Sequence, residues 1–91
     1  MKRYELRYKT RTNDTNEIND KTCTYNNYEI AVASHDTFKK YVELNEEKNI
    51  LAFEEFLHAE TYVKMIINEN EELISIDGLF EIGEVFSNIL V

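Results

Sequence analysis

Polar and apolar residues alternate cleanly over RYELRYKTR at positions 3–11, with Tyr4, Leu6 and Tyr8 on one side and Arg3, Glu5, Arg7, Lys9 and Arg11 on the other. That period of two predicts a strand with one buried and one basic, wet face. Residues 12–22 are rich in Asn, Asp and Thr and predict a loop. Tyr28, Ile30 and Val32 then alternate with Glu29, Ala31 and Ala33, which predicts a second strand over 28–33. The competing reading is a helix beginning at Asn26 or Asn27, which the Ala and Glu content favours. Phe38, Tyr41, Val42 and Leu44 follow helical spacing behind a cap at Ser34 or Asp36.

The polar stretch Asn45 to Asn49 marks a break, after which Ile50, Phe53, Phe56 and Leu57 resume a helical stripe, with Glu54, Glu55 and His58 mostly off it. From Thr61 the chain becomes rich in β-branched residues. Val63, Met65 and Ile67 alternate with Tyr62, Lys64, Ile66 and Asn68, so a strand is expected, with a turn over Asn68 to Glu71 and a returning strand in ELISI. A single helix from Ile50 to Ile74 competes, because neither Gly nor Pro interrupts it. Asp77 is read as the cap of a last helix carrying Leu79, Ile82, Phe86 and Ile89, with Val85 and Leu90 beside that stripe; a two-residue hairpin turn at Asp77-Gly78 is the alternative. Together these elements predict one small α+β domain: an antiparallel sheet of about four short strands packed with two to three helices.

Charge changes the picture more than composition does. The 91 residues are 43% hydrophobic, enough to build a core, and carry a net charge of −8. Residues 1–50 balance nine basic against nine acidic side chains, so the whole excess lies in 51–91, with nine carboxylates against Lys64 alone. The start MKRYELRYKT has charges where a signal peptide needs an apolar block, and no run is long enough for a membrane helix, so a cytoplasmic protein is expected. The single Cys23 has no partner for an internal disulfide and reads as a free thiol.

Candidate chemistry is sparse. Glu55-Phe56-Leu57-His58 places a carboxylate and an imidazole one helical turn apart, half of a motif that builds metal sites when duplicated, so metal binding through Glu55 and His58 is one reading. A surface helix pair is the plainer one. Ser34-His35-Asp36 is contiguous, whereas triad members converge from separate segments, and two glycines leave no phosphate-cradling loop. The chain is therefore read as a non-enzyme with no cofactor. Its acidity serves either solubility or a partner with a basic surface. In the second case Glu54, Glu55, Glu69, Glu71 and Glu72 supply the charge, Tyr62 and Ile66 the apolar anchors, and the turn at Glu69 to Glu72 is the expected centre of the surface.

In short length, acidity, Asn/Lys/Ile/Glu-rich composition and lack of catalytic motifs, the chain resembles the small acidic inhibitors encoded by phages and other mobile elements, including anti-CRISPR proteins and other DNA mimics. Acidic antitoxins and immunity proteins have the same character. The resemblance implies a non-enzymatic blocker of a basic, nucleic-acid-handling protein such as a host defence nuclease, without direct nucleic-acid or membrane binding, as a monomer or homodimer. The rival expectation is a regulatory module whose acidity only solubilises it and whose apolar end mediates dimerisation.

Overall fold

Alternation at the start of the chain becomes the central strand of the sheet. A computed structural model of the protein describes residues 2–47, 52–83 and 87–90. β1 (Arg3–Thr12) buries Leu6, Tyr8 and Thr10 on one face. It pairs antiparallel with β2 (Ile18–Tyr25) on one side and β3 (Glu71–Ile82) on the other; β4 (Ser87–Ile89) adds three residues beyond β3, giving the order β2-β1-β3-β4. The helices α1 (Tyr28–Glu47) and α2 (Phe53–Ile66) complete an α+β domain with an antiparallel sheet. None of the described helices is long and apolar enough to cross a membrane.

The predicted loop over 12–22 is shorter than expected, since β2 begins at Ile18. Its turn closes when the Asn16 N–H donates to the Thr12 carbonyl at 2.8 Å, with Asn16 at φ 58°. β2 reads as loop because it is an edge strand: only Cys23 and Tyr25 pack partly against the core, and its ladder comes from β1 rather than from apolar side chains.

The predicted strand over 28–33 is helix instead, and the alternative of a helix starting behind Asn27 is the correct one. Asn27 Oδ1 accepts the Ile30 N–H at 3.0 Å, as an N-cap does. Ala31, Ser34, His35, Phe38 and Tyr41 are then buried at helical spacing, while Tyr28 and Ile30 face solvent. Ser34 and Asp36 consequently lie inside the helix and cap nothing.

The expected hairpin over Thr61 to Ile76 is also overturned. Ala59 and Val63 are buried, with Phe56, Tyr62 and Ile66 packed against the core, so helical spacing continues through the β-branched run. Packing of that face outweighs the modest helix disfavour of Thr, Val and Ile. The competing helix to Ile74 fails too, because Ile67 is extended and the Glu71 N–H donates to the Asn68 carbonyl at 3.0 Å, closing a turn. ELISI is a strand, but it belongs to β3 and pairs with β1.

At Asp77-Gly78 neither a helix cap nor a hairpin turn forms. β3 continues through to Ile82, with a register shift between Arg7 and Tyr8 of β1 opposite this pair. Gly78 has φ 144°, which a residue with a Cβ does not readily adopt, so the glycine serves a bulge inside the strand. Leu79 is buried opposite Leu6. The expected last helix is thus replaced by the end of β3 and by β4; its Val85 and Phe86 lie outside the described residues.

Both helices lie on the face of the sheet that carries Leu6, Tyr8, Leu73 and Leu79. The core joins these to Ala31, Phe38, Tyr41, Ala59 and Val63. Phe38 sits at its centre, edge-on to Tyr8 with centroids 5.2 Å apart and to Tyr62 at 6.2 Å. Tyr41 stacks on Phe56. Burial raises the phenol pKa values of Tyr8 and Tyr25 well above the ordinary value, with the Cys23 thiol beside Tyr8 adding to the effect.

Candidate functional site: the acidic helical layer

Much of the positive charge on the basic face of β1 is paired with carboxylates of β1 and its neighbouring strands. Glu5 takes Arg7 at 3.2 Å and Arg3 at 3.6 Å, and Lys9 bridges Asp77 at 2.8 Å and Asp20 at 3.2 Å. The Arg7 guanidinium also lies 4.0 Å from the centre of the Phe80 ring. Arg3, Arg7 and Lys9 thus each have a carboxylate within 4 Å, with Glu5 shared by the two arginines, while Arg11 is exposed across the sheet from Glu72, so most of the positive charge on this face is already paired.

The helices are different. α1 holds Glu29, Asp36, Glu43, Glu46 and Glu47 against Lys39 and Lys40, and α2 holds Glu54, Glu55 and Glu60 against Lys64. Eight carboxylates against three lysines in one layer carry most of the molecule's negative excess. Two of those lysines are engaged by this set: Lys40 with Glu55 at 3.2 Å and Lys64 with Glu60 at 3.2 Å. Such exposed pairs contribute little stability but fix where the charge sits.

The predicted site residues are dispersed rather than gathered. Glu54 and Glu55 occupy the first turn of α2, and Glu69 lies beyond its far end, roughly 20 Å along the helix direction. Glu69 is exposed in the turn before β3, and Glu72 is half-buried opposite Arg11. Tyr62 and Ile66 are half-buried rather than fully outward: the Tyr62 hydroxyl meets Ser34 and its ring meets Phe38, while Ile66 packs partly against the core.

Glu71 has a structural position. Its carboxylate accepts the Thr10 hydroxyl at 2.6 Å and faces Lys21 at 3.4 Å, with only 13% of the side chain exposed. The Thr10 bond, then Lys21, hold its pKa below the ordinary 4.5. A carboxyl depressed on folding contributes stability above its unfolded pKa and loses that contribution as pH falls through the folded one. Glu71→Gln is therefore expected to lower the urea midpoint at neutral pH and to shrink its fall on acidification below pH 4.5. Equal midpoints for variant and wild type at neutral pH would contradict this role. Reversing the charges of the acidic turn as a unit would therefore also remove the Glu71 contacts to Thr10 and Lys21.

Glu55 and His58 do share a site, a cleft of about 440 Å³ between the helices that Asp36, Lys40 and Tyr62 also line. Its polar groups are engaged locally. Glu55 holds Lys40, and His58 Nδ1–H donates to the Glu54 carbonyl at 2.9 Å. Among the described residues, no group of three or more His, Cys, Asp and Glu side chains is arranged to hold a metal. Ser34, His35 and Asp36 form no relay either: Ser34 meets Tyr62, and His35 Nδ1–H donates to Asp36 at 3.0 Å. Cys23 is half-buried with its sulfur 3.6 Å from the Tyr8 hydroxyl.

Sequence reading missed the apolar part of this surface. Phe53, Leu57 and Met65 are 59%, 47% and 79% exposed and lie along the solvent side of α2 at i, i+4 and i+12, with Thr61 between them. Phe53 and Leu57 had the spacing of core residues. The missing signal was the second stripe, Phe56, Ala59, Val63 and Ile66, which claims the opposite side of the helix once Thr61–Ile66 is helical. Comparison with protein-family models, with curated proteins and with solved structures found no match to this chain.

Proposed function

We propose that the protein is a non-enzymatic, cytoplasmic inhibitor that occupies the basic surface of a nucleic-acid-handling protein, such as a host defence nuclease, with its helical layer. One observation carries this reading: α2 presents Phe53, Leu57 and Met65 on the same exposed side as Glu54, next to Glu55 and Glu60 at its flanks. Carboxylates speed encounter with a basic surface, and desolvated apolar anchors supply lasting affinity. Acidity for solubility alone gives no reason for a row of large apolar side chains to face water beside it.

The test begins with capture of the partner from the native host and its identification, followed by titration of the purified pair at rising salt. Affinity is expected to fall steeply with ionic strength, and Glu54→Gln with Glu55→Gln to weaken binding about tenfold. Glutamine is chosen because a lysine at 55 would face Lys40 and would oppose the positive end of the helix. A partner whose affinity ignores both salt and these substitutions would sink the proposal.

A further inference from the structure

The edge of β3 is only partly covered. β4 pairs with Phe80–Ile82, and the Leu90 N–H reaches the Leu79 carbonyl at 2.8 Å. Among the described residues, no strand pairs with Glu71–Gly78 on the side away from β1. Alongside this open edge runs α1, and the two enclose a groove of about 360 Å³ lined by the β3 run from Ile74 to Gly78 and by one face of α1 from His35 to Glu46. The twelve helical residues from His35 to Glu46 span roughly 16 Å, which matches about five residues of extended chain at 3.3 Å each.

We propose that this groove takes an extended, basic segment of a partner protein by strand addition to β3. Main-chain groups of the segment pair with the open edge, and its alternate side chains turn towards α1. There Val42, Ile74 and Ile76 offer an apolar floor, while Glu43 and Glu46 outnumber Lys39; Asp77, also in the lining, is already paired with Lys9. An aliphatic stem on that floor with a cationic head at the carboxylates is the signature of Lys or Arg. The register shifts at Tyr8 and Thr10 of β1 interrupt the regularity of β3. Bulges of this kind discourage indiscriminate edge pairing, so the side-chain contacts select the segment.

The inference rests on the reading of a basic partner but concerns a different surface from α2, and its test needs no partner. The probe is a short capped peptide of alternating lysine and valine, followed by amide resonances of the full chain. Expected are shifts confined to Ile74–Gly78 and the facing residues of α1, binding weakened about tenfold or more by Glu43→Lys with Glu46→Lys, and loss of binding when alternate peptide nitrogens are methylated. The far-ultraviolet spectrum and the urea midpoint check that the double variant is folded. No binding, shifts centred on Phe53–Met65, or equal binding of the methylated peptide would each overturn the groove as the site. Those results leave the α2 proposal to its own titration, while a salt-insensitive partner would end that proposal without touching the peptide result.

Discussion

Phe38→Ala is expected to abolish or nearly abolish cooperative folding. The ring is fully buried and is the largest side chain sealed inside the core. Truncating a buried phenylalanine costs about 3–5 kcal/mol, and edge-on aromatic contacts, worth about 0.5–1.5 kcal/mol each, place the loss towards the upper end of that range. Phe38 has two such contacts, with Tyr8 on the central strand and Tyr62 on α2, so one residue of α1 ties both helices and the sheet together. A domain of this size holds only about 5–15 kcal/mol in total. Urea unfolding followed by circular dichroism is the measurement, with Ile30→Ala as the control because Ile30 is 56% exposed on the same helix. A Phe38→Ala midpoint as close to wild type as the control's would mean that α1 does not seat on the sheet through this ring.

Phe38 also shows how legibility varied along the chain. Its helical spacing with Tyr41 was readable because α1 has one buried face, and β1 was readable because a strand covered on one side must alternate. Residues 28–33 satisfied both periods over a short window, and only the Asn27 cap decided between them. Thr61–Ile66 misled because β-branched residues describe a preference, whereas Ala59 and Val63 describe a place in the core. Asp77-Gly78 misled for a different reason: a glycine needed for a bulge leaves the same local trace as one needed for a turn. Both shifts in β3 are properties of its pairing with β1, sixty and more residues earlier, and no local pattern encodes them.

The site was legible as a charge excess but not as a surface. Glu69, Glu71 and Glu72 are neighbours in sequence, and strand geometry sends Glu71 to Thr10 and Lys21 while Glu72 lies across from Arg11. Adjacent residues on a strand point to opposite faces, so an acidic run in a strand is never one patch. The same count of carboxylates on helices stays together on an outer layer, and this is why the acidic centre moves from the turn to α2 and α1.

The sharpest consequence concerns the apolar row on α2. Phe53→Ala, Leu57→Ala and Met65→Ala combined are expected to weaken partner binding at least a hundredfold, since a few anchors at about 2 kcal/mol or more each dominate most interfaces and each 1.4 kcal/mol is about tenfold. The same triple variant is expected to keep its urea midpoint close to wild type, because these side chains are largely exposed and alanine favours helix. Glu69→Lys, at the far end of α2, is expected to change binding little. Calorimetry of the purified pair and light scattering of the free protein separate the alternatives. A triple variant that binds normally removes α2 as the interface. A wild-type homodimer that the triple variant converts to monomer, with no change in heterologous binding, assigns the row to self-association instead and favours a dimerisation module over an inhibitor.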